Sequence, residues 1–212
     1  MPTVVIASPK GGAGKSTAAI LLGTELAHAG ASVVMLDCDP NHSLTLWADR
    51  APLPARINVL SSVAESDIVK TIKAHDIDGQ IVIVDLEGVA SRLVSRAISQ
   101  ADLVITPMRA TTLDATIGVR ALQLIAEEEE ALDRRIPHAV VFTMTKAVRS
   151  KQHSGIAESL AAQGVDLIDP PLMERAAFSA LFEFGGNLRS MPAQGNMEGA
   201  IENAALFAQA VY

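Results

Sequence analysis

Aromatic side chains are scarce: the 212 residues hold five Phe, one Trp and one Tyr, 3% in all, against a hydrophobic share of 49%. The core is therefore built of aliphatic and alanine side chains. Such a composition is common in α/β folds, whose buried parallel strands read as unbroken Val/Ile/Leu runs. A single cysteine, Cys38, excludes an intramolecular disulfide and a cysteine-rich metal cluster, and it fits a reducing, cytoplasmic location. Positive charge is not in excess: the formal net charge is −7. That rules against bulk attraction to nucleic acid, so any DNA contact needs a local basic patch. No apolar run reaches membrane-spanning length, and the chain enters an apolar strand at once, leaving no signal peptide. The five histidines show no ligand spacing, and there is no internal repeat. The length suits one domain over residues 1–212 with ample core.

What is present is organised around Ser8-Pro9-Lys10-Gly11-Gly12-Ala13-Gly14-Lys15-Ser16-Thr17. The apolar run Val4 to Ala7 leads into it, and Ala19, Ile20, Leu22 and Leu26 follow at helical spacing up to a stop at Gly30. Strand, glycine-rich loop, helix is the order of a phosphate-binding P-loop. Glycines let backbone N–H groups curl around phosphate oxygens where Cβ atoms would obstruct. Lys15 supplies a point charge for the β/γ-phosphates, and the Ser16 hydroxyl is placed to ligate Mg²⁺. The strict pattern needs Gly at position 9, where this chain has Pro9, which favours an extended Ser8 at a strand end.

Further strands read as Val33 to Leu36, Ile57 to Leu60, Ile81 to Val84, Ala101 to Pro107, Ala139 to Thr143 and Val165 to Ile168. Between them fall helices over 63–74, 91–100, 115–130 and 154–163, then a last amphipathic helix over 200–211. The expected fold is a doubly wound α/β domain with a mostly parallel sheet and the ligand at the strands' carboxyl ends. Two strands end in acids on that edge: one in Asp37-Cys38-Asp39-Pro40, the other in Asp85. Asp85 after four apolar residues has the form of Walker B, an aspartate that binds Mg²⁺ through water. Either Asp37 or Asp39 could instead cap the helix starting near Ser43, and Asp114 is a good N-cap for the helix from Ala115. Trp47 reads as packing and Cys38 as a small buried filler. Glu127 to Glu130 oppose a helix macrodipole, so fraying is expected there.

Lys10 in Lys10-Gly11-Gly12-Ala13-Gly14-Lys15-Ser16 matches the deviant Walker A motif, and the chain resembles the ParA/MinD family of ATPases. The resemblance extends to Asp37-x-Asp39-Pro40, to Ala101 through Pro107, to Thr111 through Asp114, and to Met173 through Phe178. It departs at Leu86-Glu87-Gly88, where relatives continue Thr-Pro-Pro or Thr-Pro-Gly, and at Thr143-Met144-Thr145, where many carry Asn for the adenine. The resemblance implies ATP and Mg²⁺ as ligands, with Gly11 through Thr17 forming the phosphate cradle. Lys10 would reach a partner's nucleotide across an ATP-dependent homodimer. Asp39 would orient the attacking water, and Asp37 would hold Mg²⁺ through its water shell together with Ser16 and Asp85. A role for Glu87 in catalysis, in pairing with Arg92 or in dimer contact stays open.

Short length, with no helix-turn-helix ahead of the P-loop, resembles the small ParA type. Asp37 to Asn41, Ser43 to Trp47 and Glu87-Gly88 are also similar to small ATPases of conjugative or T-DNA transfer. The implied function is DNA partition by slow ATP hydrolysis, stimulated by a ParB-type centromere-binding partner, on non-specific DNA in the cytoplasm. The alternatives are DNA transfer, positioning of a protein cargo, and a metabolic amidotransferase-type synthetase. Lys146, Arg149 and Lys151 form a small basic loop cluster that either meets DNA phosphates or stays solvated. The tail from Ile201 to Phe207 has no lysine or arginine, so membrane docking is not expected.

Overall fold

The apolar runs do form the strands of one sheet. The structure, a computed structural model, describes residues 2–61, 63–88, 91–146 and 150–212. In chain order the elements are β1 (Thr3–Ile6), α1 (Lys15–His28), β2 (Ser32–Cys38), α2 (Ser43–Ala48), β3 (Ile57–Leu60), α3 (Ile68–His75), β4 (Gln80–Leu86) and α4 (Arg92–Ile98). There follow β5 (Leu103–Arg109), α5 (Thr112–Leu132), β6 (His138–Thr143), α6 (Lys151–Ala162), β7 (Asp166–Ile168), α7 (Ala176–Phe184) and α8 (Met197–Val211). The sheet is seven-stranded in the order β3-β2-β4-β1-β5-β6-β7, and the pairings between these strands are parallel.

Alternation along each strand feeds two cores. Val4, Ile6, Val33, Met35, Ile81, Ile83 and Ile105 face one side, packed with residues of α1, α2, α7 and α8. Val5, Val34, Leu36, Val82, Val84 and Val104 face the other, against α3, α4 and α5. Because both faces are covered, the strands carry apolar residues at nearly every position. Trp47 is fully buried, and its indole Nε1 donates to the Gly186 carbonyl at 3.0 Å, docking α2 against the end of α7. No helix among the described residues is long and apolar enough to cross a membrane.

Several boundaries differ from those read in the sequence, each for a local reason. The helix expected over 63–74 begins only at Ile68, because the Val63 N–H bonds back to the Asp37 carbonyl at 3.4 Å and a turn at Ala64 follows. Helix α6 starts at Lys151 rather than Ser154, since the Ser150 hydroxyl accepts the His153 N–H at 3.1 Å as its cap. Lys151 therefore sits in a helical first turn and not in a loop, and Arg149 lies outside the described residues. Asn196 caps α8 in the same way, accepting the Gly199 N–H, so that helix starts before Ala200. Helix α5 runs unbroken through Leu132 despite its four acids. Glu129 offsets part of the dipole conflict by accepting the Ile136 N–H at 2.7 Å.

Candidate functional site

The Pro9–Gly14 loop leaves β1 at the middle of the sheet and delivers Lys15 as the first residue of α1. Gly12 and Gly14 sit at φ 72° and 90°, the left-handed region that a Cβ disfavours. The first turn of α1 has no acidic residue and no side-chain cap, so its N–H groups and dipole are left for an anion. Two neighbours hold the loop's carbonyls. The Thr143 hydroxyl at the end of β6 donates to the Ala13 carbonyl at 2.8 Å, and Arg109 Nη2 lies 3.4 Å from the Gly12 carbonyl. Gly88 presses from the other side: a Cβ there would fall 2.9 Å from the Gly11 nitrogen and 3.1 Å from the Lys10 carbonyl carbon.

Strand order sets the acids beside this loop. β4 lies between β1 and β2, with Asp85 in register with Ile6 on one side and Asp37 on the other. Both carboxylates are fully buried. Neither oxygen of Asp85 has a hydrogen-bond partner. Burial pushes its pKa up to about 7 from 3.8; the nearby Ser16 hydroxyl and Lys15 ammonium pull it down in part, while Asp37 and Asp39 push it further up. The Ser16 hydroxyl is thus close enough to act on Asp85 without completing a bond of ordinary geometry. The two orphaned oxygens beside a hydroxyl are a donor set that fits a hard divalent cation.

Asp37 is differently placed. Its Oδ2 accepts from the Thr45 N–H at 2.8 Å and the Thr45 hydroxyl at 2.6 Å, so Asp37, and not Asp39, ties down the first turn of α2. Asp39 accepts from the Asn41 backbone and side-chain nitrogens, both at 2.8 Å. Cys38 between them is buried, and burial, followed by the charges of Asp37 and Asp85, pushes its thiol up to about 12. It is a filler, as its isolation suggests.

Lys10 stands at the rim, 35% exposed, with its ammonium paired to the Asp114 carboxylate. Asp114 is 4% exposed, and its second oxygen has no partner. The N-cap of α5 is Thr111, whose hydroxyl accepts the Asp114 N–H at 3.1 Å, so the capping role read for Asp114 is corrected. The carboxylate is free for Lys10 because the residue three positions earlier does the capping. Glu87, half-buried, lines an apolar cavity of about 180 Å³ with Pro9, Val94 and Leu124, and it makes no ion pair with Arg92 among the described residues.

The VirC1 protein family matches residues 1–203. Protein ParA of Rhizobium radiobacter is 67% identical over all of this chain and 96% of its own length. The chain belongs to the VirC1 and ParA family of P-loop ATPases. Protein virC1, also of Rhizobium radiobacter, is 28% identical over 87% of this chain and 82% of that protein. An ATP complex of McdA from Cyanothece superposes with a TM-score of 0.75 at 19% identity, covering 100% of this chain and 96% of that one, a likeness of fold.

In this family member the late segment from Met173 also reaches the nucleotide edge. The Leu172 N–H bonds to the Phe142 carbonyl at 2.8 Å and the Glu174 N–H to the Thr145 carbonyl at 2.9 Å, stitching the segment to the end of β6. A cavity of about 120 Å³ opens there between Gly14, Thr17, Thr143, Met173 and Phe178. Asn203 of α8 holds the segment, accepting the Met173 N–H and donating to the Pro171 carbonyl, both at 2.9 Å. Sequence reasoning missed Asn203 and Arg109, and it took Gly88 only as a mark of family likeness. Nothing local marks an asparagine in a distant helix or an arginine at a strand end, but Gly88 three residues past Asp85 was a usable signal of close backbone approach.

Proposed function

We propose that this ParA-family ATPase is a DNA partition switch: ATP and Mg²⁺ bring two copies face to face, the dimer binds non-specific DNA, and a ParB-type partner stimulates hydrolysis and release. The observation that carries the reading is Lys10. It sits on the rim of the P-loop rather than within it, held by a buried acid of the same chain. Around the same edge, Leu46 after β2, Leu113 at the start of α5 and Met144 after β6 are exposed, three of the seven large hydrophobic side chains that are exposed among the described residues. An apolar rim about a cationic centre is the surface a second copy would cover. Lys10 would exchange Asp114 for the partner's phosphates.

Gly11 through Thr17 would cradle the triphosphate with Lys15, while Ser16 and Asp85 hold Mg²⁺ and Asp37 meets its water shell. Mg²⁺, when bound, neutralises charge on the β- and γ-phosphates. Asp39 would orient the attacking water. The protein would reside in the cytoplasm, on the nucleoid in its ATP state, without membrane docking. The match to the VirC1 family supports a second reading, DNA transfer, with the same switch and a different cargo.

Lys10→Ala is expected to lose the ATP-dependent dimer, read as monomer mass by light scattering with ATP-Mg²⁺; an unchanged dimer would refute the trans role. Asp39→Ala is expected to keep that dimer while phosphate release stops, and release at the wild-type rate would remove Asp39 from catalysis. The function itself is tested by binding to a non-specific duplex with no nucleotide, ADP-Mg²⁺ or ATP-Mg²⁺ across a salt series. Binding that requires ATP and weakens steeply with salt supports a DNA switch. No binding in any state, with hydrolysis intact, moves the protein to a cargo-only or metabolic role.

A further inference from the structure

Four exposed cations without an acid among them share one place on the fold. Helices α3 and α4 pack side by side on the sheet face away from α1. Their sequences, IVKTIKAH and RLVSRAI, contain two lysines and two arginines and no acid, in a chain whose net charge is −7. Lys70 and Lys73 are one turn apart on α3, Arg92 and Arg96 one turn apart on α4, and all four are exposed. Their apolar companions Ile68, Ile72, Val94 and Ile98 are buried beneath. Arg96 is partly fixed, its Nη1 donating to the Glu65 carbonyl at 3.1 Å. Glu65 and Asp67 precede α3, and Asp76 and Asp78 follow it, so the charge is confined to the two helix faces.

We propose that this α3–α4 face, through Lys70, Lys73, Arg92 and Arg96, is the surface that grips the phosphate backbone of duplex DNA. The inference rests on the DNA-binding reading above and says where on the fold that binding occurs. Neighbouring helices pack about 8–10 Å apart, so the four cations span a distance comparable with the roughly 6–12 Å widths of the DNA grooves. Two lysines and two arginines on opposed ridges can bracket phosphates without reading bases, which suits sequence-independent contact. A membrane surface fits worse. Neither helix exposes a large hydrophobic side chain, and the exposed Ile77 beyond α3 stands between Asp76 and Asp78.

The face also follows the nucleotide site closely in sequence. Ser91, the cap of α4, comes three positions after Gly88, which touches the P-loop backbone at Gly11, and Arg92 seven positions after Asp85.

The test compares the full chain with a variant carrying Lys70→Gln, Lys73→Gln, Arg92→Gln and Arg96→Gln. Anisotropy of a labelled non-specific duplex is measured with ATP-Mg²⁺ over a salt series, next to dimer mass, basal ATP hydrolysis and melting temperature. Each phosphate contact contributes about 0.9 to the slope of log K against log salt, so the variant's slope is expected to be shallower by about 3 to 4 per copy engaged. Dimerisation and hydrolysis are expected to stay unchanged. Restoring charge with Arg92→Lys and Arg96→Lys in an otherwise native chain is expected to keep the slope, which separates charge from helix integrity. If the quadruple variant does not fold, Lys70→Glu with Lys73→Glu on α3 alone replaces it, with an expected slope change of about 2 or more. Wild-type binding that is unaltered in the folded variant, or that is lost instead on Lys146→Gln with Lys151→Gln, overturns the placement and leaves the DNA switch standing. Failure of the wild type to bind DNA in any nucleotide state overturns both. Binding to vesicles with anionic headgroups but not to DNA replaces the duplex with a membrane and refutes the proposal.

Discussion

Asp85→Asn is expected to make the metal-free protein more stable, with a gain that grows as pH rises. In the fold Asp85 is fully buried without a partner for either oxygen, and its pKa stands near 7. Unfolded, the same group titrates near 3.8. A carboxyl whose folded pKa is raised binds protons more tightly in the folded state, so ionisation weakens the fold. The penalty is absent below about pH 4, develops between about 4 and 7, and is complete above 7. Raising the carboxyl from 3.8 to about 7 corresponds to about 4 kcal/mol at most. The amide leaves its own polar atoms unpaired, at about 1–3 kcal/mol, so the change in the wild-type-to-variant gap across pH is the cleaner readout. For a domain of this size about 1 kcal/mol moves Tm by about 2–4 °C. In EDTA the Asn variant should melt several degrees above wild type at pH 8 and gain much less at pH 5. With ATP and Mg²⁺ present the advantage should shrink, because a cation that Asp85 would help to hold stabilises the wild type more than the variant. A gap that is the same at both pH values would show that Asp85 is not an uncompensated buried acid.

Gly88→Ala is expected to lower ATP affinity by about 10- to 100-fold while leaving the sheet intact. The added methyl carbon would stand 2.9 Å from the Gly11 nitrogen and 3.1 Å from the Lys10 carbonyl carbon. Backbone cannot rotate aside as a flexible side chain can, so the loop must move. Overpacking of this kind costs about 1–3 kcal/mol, and here it falls on the conformation that binds phosphate. Most of the effect should appear as lost nucleotide binding, read by titration of a fluorescent ATP analogue, with Tm changed by only a few degrees. Unaltered affinity and Tm together would mean that the turn after β4 yields without disturbing the P-loop.

Legibility followed the range of the interactions. Val4 to Ala7 and Ile81 to Val84 announced themselves as strands because a residue buried on both sheet faces has to be apolar whichever way it points. The glycines at 12 and 14 were readable because their backbone angles are needed locally. Caps were readable as residue types but not as positions: Thr111 and Asp114 are both acceptable, and in the fold Thr111 caps while Asp114 pairs with Lys10 across a sequence distance of 104 residues. Asn203 and Arg109 gave no signal at all, since their partners, Met173, Pro171 and Gly12, are set by strand order and not by spacing.

By itself, the sequence determined the α/β class, the P-loop with its adjoining acids, and the family, because each depends on residues within a few positions of one another. The tertiary structure alone decided that β4 lies between β1 and β2. This order sets Asp37 and Asp85 side by side under the P-loop and leaves Asp85 without a partner. It also decided that Lys10 is held by Asp114 and that Lys70, Lys73, Arg92 and Arg96 of an acidic chain share one face. These facts depend on how the strands are ordered and how the helices pack across them, and that arrangement is fixed only when both apolar cores close together.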